Sequence, residues 1–260
     1  MSDHPADGER LDYGSYVRVD DLLALQHPRS SPEHPDELLF IVVHQASELW
    51  FKVILHEIDA LVGALERRET MFAVLAVRRL NALVRIVSAH LSALDTLPPQ
   101  RFAQFRGYLG TSSGSQSVQF RAIEAASGLR EPAYLRALEA HGPVPEPVRA
   151  ALARPTLQEL FEAHLAHAGV ALEELYTGPA PTPLFLLAEG LLEYEQQFAQ
   201  WRFLHVQLVE RIIGPITGGT GGSLGARYLS RTVEQRFFPN LWAVRGRFHG
   251  AAAPGAPPPP

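Results

Sequence analysis

Apolar residues recur along this chain at helical spacing, three or four apart, and no stretch alternates in the manner of a strand. The clearest run is FAQWRFLHVQLVERIIG, where Tyr194, Phe198, Trp201, His205, Leu208 and Ile212 fall on one face of a helix. Asp36 is the predicted cap of a long helix reaching about Arg68, with Leu39, Val42, Leu49, Trp50, Val53, Ile54, Ile58, Leu61 and Leu65 among its apolar positions. A second long helix spans about Thr70 to Leu97 and stops at Pro98-Pro99. A short amphipathic segment covers Tyr13 to Gln26, a short aromatic helix covers Phe102 to Leu109, and a further helix starts near Gln116. Glycine and proline break 128–156 into pieces. Helices resume over 156–176 and 182–213, followed by the glycine-rich loop TGGTGGSLG at 217–225 and a short helix ending about Phe238. Residues 1–12 and the tail 249–260, AAAPGAPPPP, have nothing to pack and are expected to be disordered. The fold class is all-α, one helical domain over 13–248.

Composition narrows the chemistry. Apolar residues make up 46% and charged residues 20%, ordinary for a soluble globular protein. A net charge of −5 with no concentrated basic surface argues against nucleic acid as a partner. No uninterrupted apolar stretch approaches the roughly 20 residues of a membrane span. With a polar N-terminus, MSDHPADGER, the expectation is a cytoplasmic protein without a membrane partner. There is no cysteine, which removes disulfides, zinc–thiolate sites, iron–sulfur clusters, and thiolate-ligated or covalently attached haem.

Several residues could carry chemistry. His205, set in the apolar stripe, suits an axial ligand to a haem iron if a second region supplies the opposite wall; the stripe by itself favours a core histidine bonded to a backbone carbonyl. His44 lies four residues after Phe40 on the first long helix, so ring and imidazole are neighbours. Arg106 sits among Phe102, Phe105, Tyr108 and Leu109, where a guanidinium needs a carboxylate partner or an aromatic face to stack on. The loop at 217–225 holds five glycines in nine residues and can bring backbone N–H groups close to a ligand, but it lacks the lysine of a P-loop. His164 and His167 have a spacing that can bind a metal, yet such pairs are mostly solvated surface. No histidine follows a glutamate by three residues, so a di-iron carboxylate bundle is excluded.

Five motifs in order resemble the tryptophan 2,3-dioxygenase family: YGSYVRVDDLLALQ (13–26), LLFIVVHQASELWFK (38–52), FRGYLGTSSGSQSVQFR (105–121), WRFLHVQLVERIIG (201–214) and TGGTGGS (217–223). The resemblance implies a helical haem enzyme, one noncovalent haem b per subunit, with O2 as co-substrate, assembled as a homotetramer. The implied reaction inserts oxygen at the indole C2–C3 bond of L-tryptophan and gives N-formylkynurenine. His205 would bind the iron with Trp201 beside it, and Ser113 and Gly114 would lie at the distal haem face. His44 would accept the indole N–H, Phe40 would line the indole pocket, and Arg106 would pair with the substrate carboxylate. Thr220 would contact the ammonium and carboxylate. Tyr13, Tyr16 and Val17 would complete the pocket of a neighbouring subunit.

The chain also departs from the family pattern. Phe102 stands where a tyrosine usually helps hold the carboxylate, Ser115 replaces a phenylalanine, and Leu91 replaces an aromatic. The glycine loop reads PITGGTGG, with one extra residue and no basic pair. These changes bring in a second reading, a relative that oxygenates a substituted tryptophan once without opening the ring. A third, from another class, is a non-enzymatic sensor of haem or tryptophan.

Overall fold

The computed structural model describes residues 12–130, 135–136, 139, 142–178, 181–215, 230 and 232–248. Among them every regular element is an α-helix or a short 3₁₀ turn. The helices are α1 (Tyr13–Val17), α2 (Val19–Leu23), α3 (Glu37–Glu66), α4 (Thr70–Leu91), α5 (Pro99–Arg106) and α6 (Val118–Ser127). They continue as α7 (Glu146–Leu152), α8 (Leu157–Ala168), α9 (Glu174–Thr177), α10 (Pro183–Ile213) and α11 (Pro239–Arg247).

Three long helices make the frame, with α4 packed against both α3 and α10. Their facing positions are the predicted apolar ones: Ile54, Ile58 and Leu61 from α3, Val77, Leu80 and Val84 from α4, and Leu187 and Leu191 from α10 are all buried. Burying such side chains contributes about 1.5–3 kcal/mol each, which outweighs the weak intrinsic preference of the valines and isoleucines for helix. The α4–α10 contact is close because residue 190 is glycine; a Cβ there would lie 2.6 Å from Val77 Cγ1. Asn81 Nδ2 donates to the Gly190 carbonyl at 3.0 Å across the same contact. A second, smaller apolar cluster forms at one end of the frame from Val43, Leu91, Leu94, Leu97, Phe102, Phe105, Leu208 and Ile212. By length and hydropathy α3 alone among the described helices could cross a membrane, yet its Ile54, Ile58 and Leu61 stripe forms the centre of the bundle.

Several expected boundaries move, each for a local reason. Asp36 does not cap α3 through its side chain, because that carboxylate pairs with Arg101. The neighbouring Glu37 carboxylate instead accepts from the backbone N–H groups of Arg29 and Ser30, at 2.7 and 3.0 Å. The second long helix ends at Leu91, and Ser92–Thr96 tighten into a 3₁₀ turn in which Ser92 and Thr96 hydroxyls each donate to a carbonyl three residues back. The 156–176 segment splits after Ala168, where Gly169 takes a left-handed conformation at φ 67°. The helix expected after the glycine loop lies largely outside the described residues; Ser230 and Thr232 are helical, but 233–238 are not, and Pro239, with its fixed φ and missing N–H, opens a separate helix, α11.

Glu195, fully buried on α10, fastens that last helix. Its carboxylate accepts from the backbone N–H of Phe237 (2.6 Å) and Phe238 (2.7 Å), from Arg236, and from the Trp242 indole N–H.

Candidate functional site

The site forms where the two apolar clusters meet. On α3, Val43, His44, Ser47, Glu48 and Phe51 repeat at helical spacing and line one wall of a cleft. On α10, Trp201, Arg202 and His205 line the facing wall. Phe120, Arg121 and Glu124 of α6, with Gly114 and the cap residue Ser117, close one side; Leu91 and Thr232 complete the lining. The empty space amounts to about 770 Å³ including its open mouth, in the range of small-molecule and cofactor sites.

Both imidazoles are held uncharged. His205 is pushed down to about 4, first by burial, then by the His44 and Arg121 charges, and no hydrogen bond offsets that cost. Trp201, four residues earlier, stacks on its ring with centroids 5.2 Å apart and planes 29° apart. The buried Trp201 Nε1 has no hydrogen-bond partner among the described residues. His44 is also lowered, chiefly by desolvation. Its ring remains reachable from the cleft mouth, so it is shielded by the walls around it and not sealed inside the core. His44 Nδ1 lies 2.7 Å from the Phe40 carbonyl, which can only accept, so Nδ1 carries the proton and Nε2 is left as an acceptor.

Charge inside the cleft is concentrated on one side. Glu124 divides its two oxygens between guanidiniums: Oε1 accepts from Arg202 Nη2 at 2.9 Å, and Oε2 from Arg121 Nη1 at 2.6 Å. Arg202 also lies over the Phe237 ring, 5.1 Å from its centroid. On the α3 side, Glu48 Oε2 accepts from Gln119 Nε2 at 2.8 Å. Ser47 Oγ lies 2.9 Å from His90 Nε2.

The structure brings together four of the residues expected from the sequence: His44, Gly114, Trp201 and His205 line the cleft. Phe40 and Phe102 form an aromatic layer beside it, with Phe40 centroids 4.3 Å from His44 and 5.6 Å from Phe102. Arg106 ends α5 directly after buried Phe105; it is partly buried and lies outside the cleft lining. Ser113 adjoins Gly114, and its backbone N–H donates to Gln116 Oε1 at 3.2 Å. Tyr13, Tyr16 and Val17 are exposed at 78%, 74% and 41% and are not among the residues that line the cleft. Thr220 and the rest of the 217–225 loop lie outside the described residues, as do 1–11 and 249–260. The expectation of a solvated His164–His167 pair is corrected. His164 is buried with Nε2 2.8 Å from Thr70 Oγ1, while His167 Nε2 faces Arg68 Nη1 at 3.0 Å.

Sequence reasoning missed Arg121, Glu124 and Arg202. The signal was present: Arg202 interrupts an apolar helical run three residues before His205, the same situation that singled out Arg106.

Against known proteins, the sequence pattern of the family described as tryptophan 2,3-dioxygenase matches residues 2–139 and 158–248. A protein named tryptophan 2,3-dioxygenase from Kineococcus radiotolerans is 39% identical over 260 residues, covering 90% of each chain. This chain belongs to the tryptophan 2,3-dioxygenase family. Further members bearing that name are similar over most of their length. The one from Anaeromyxobacter dehalogenans is 39% identical, covering 95% of this chain and 99% of its own. The one from Herpetosiphon aurantiacus is 40% identical, covering 91% and 98%. Membership makes the chain an enzyme of the oxidoreductase class, and the all-helical fold agrees with the resemblance.

Proposed function

We propose that this chain adds both atoms of O2 across the indole C2–C3 bond of L-tryptophan, giving N-formylkynurenine, with haem b held in the cleft by His205. One observation carries the reading: two uncharged imidazoles, on α3 and α10, face the same apolar cleft. The residues present fit an iron porphyrin. His205 has an unprotonated nitrogen without a competing hydrogen bond, and the walls are aromatic and aliphatic. Haem, when bound, supplies the O2 chemistry.

The chain's own part is positioning. Trp201 stacks against His205 and fixes the plane of that ring. His44 offers Nε2 to the indole N–H, and the Phe40 carbonyl keeps its ring from turning over. Phe40 and Phe102 give the indole an apolar wall and exclude water. Arg106, at the end of the helix that carries Phe102, is the partner for the substrate carboxylate, with Thr220 reaching the ammonium and carboxylate. Ser113 and Gly114 would lie against the bound haem, Gly114 from the cleft lining itself. The exposed Tyr13, Tyr16 and Val17 complete the site of a neighbouring copy in a homotetramer with one haem per subunit. The enzyme works in the cytoplasm on this reading, with no membrane or nucleic-acid partner.

Haem-loaded protein, reduced and mixed with L-tryptophan under anaerobic conditions, should on admission of O2 yield a product heavier by two oxygen atoms with the indole ring opened. The same preparation of His205→Ala should lose the Soret band. Full haem occupancy in that variant, or a product carrying a single oxygen, would overturn the assignment.

A further inference from the structure

The cleft has a cationic end that the axial-ligand reading leaves unused. Arg202 is 3% exposed, yet its Nε, a buried donor on this wall, has no hydrogen-bond partner among the described residues. A buried N–H without an acceptor costs about 1–3 kcal/mol, so its retention points to an acceptor that arrives from outside the chain. The surroundings specify an anion. Arg121 and Arg202 share one carboxylate, Glu124, and both guanidiniums line the cleft. Ser117, also on the lining, caps the ten-residue α6 by accepting from Phe120 N at 3.1 Å, so the positive end of that helix faces the same place. Glu48, the other acid of the cleft, stands on α3 in His44's company and is engaged by Gln119. The wall bearing His205 is therefore the one that favours an anion.

We infer that Arg202, with Arg121 and the α6 N-terminus, is the carboxylate-binding end of the cleft and grips the propionate arms of the porphyrin. This rests on the haem reading. Glu124 acts as a positioning residue. By tying one nitrogen of each arginine it aims the two guanidinium planes, which a lone flexible arginine would not maintain. The site thus selects porphyrins with free acids over those whose acids are masked, whatever the axial bond contributes.

The test compares haem b with haem dimethyl ester, in which both carboxylates are blocked, on the intact protein without substrate. Release of each to apomyoglobin is followed at the Soret band. Wild type should hold the free acid roughly 10- to 100-fold longer than the diester, the range expected for charge-assisted hydrogen bonds. Arg202→Met should bring the two lifetimes together by shortening that of the acid alone, and Arg121→Met should do so in part. His205→Ala should shorten both equally. Equal lifetimes in wild type overturn the inference while leaving the axial assignment intact, and this comparison stands even if Arg202→Met fails to fold. An undiminished preference for the acid in folded Arg202→Met also overturns it. A wild type that binds neither porphyrin sinks the haem reading and this inference together.

Discussion

Two histidines of identical chemistry are set differently by what touches them. His44 has one nitrogen committed to the Phe40 carbonyl, whereas His205 has only an aromatic face against it. That contrast has a consequence for stability of the haem-free protein. An unfolded imidazole titrates near 6.5, and His205 in the fold is pushed down to about 4. Between those values the unfolded chain binds a proton that the folded chain refuses, so stability is full above 6.5 and is lost as pH falls toward 4. His44 and His164 are lowered in the same sense and add to the trend. Urea midpoints of the apoprotein should therefore fall from pH 7 to 4.5, and His205→Gln should flatten that slope; an unchanged slope would remove His205 as its source. A second expectation concerns Arg106: Arg106→Leu should raise KM for L-tryptophan by roughly 2–5 kcal/mol in binding terms, leaving haem content unchanged. Both histidines were legible in the sequence, because helical spacing alone puts each beside an aromatic. The arginine–glutamate cluster was not, since Arg202 and Glu124 are 78 residues apart and their pairing exists only once α6 and α10 pack.

At the scale of helices, the sequence marks where an element ends more clearly when backbone chemistry forces the end. Pro183 is such a mark, and α10 begins close to expectation there, whereas Gly169 forces an end inside the single helix expected over 156–176. Leu91 is not one: α4 gives way to a 3₁₀ turn through serine and threonine hydroxyls that periodicity cannot register. The α4–α10 contact is equally hidden, because nothing in a one-dimensional pattern says that Gly190 meets Val77. Gly190→Ala should cost about 1–3 kcal/mol by overpacking that contact, read from urea denaturation. Gly246→Ala makes an internal contrast. It lies within α11 with open space around it, and should stabilise by about 0.5–1 kcal/mol. Loss of stability in both would show that the close α4–α10 approach is not what sets the Gly190 result.

For the molecule as a whole, an apolar N-terminal surface stands out. Tyr13, Tyr16, Leu22, Leu23 and Leu25 are all exposed, and neither α1 nor α2 buries a residue within its own chain. On the proposed reading this segment, whose first helix is capped by Asp12 but which has no core of its own, packs against another copy. Light scattering should report a four-chain assembly. Replacing Tyr13 and Tyr16 by serine should weaken both assembly and turnover, while a fully active monomer would end the idea. The helical class and single-bundle plan could be read from periodicity, but this surface could not, because an apolar face predicts burial without saying in whose chain. One further consequence follows from the Glu195 fastening. A rigid rod carries that carboxylate and, about 15 Å further along, His205. Clipping the chain before Arg236 would strip Glu195 of its donors and strand a charge inside the bundle. With haem held as proposed, damage at the far terminus would then announce itself as paler protein, well before any loss of helix could be measured.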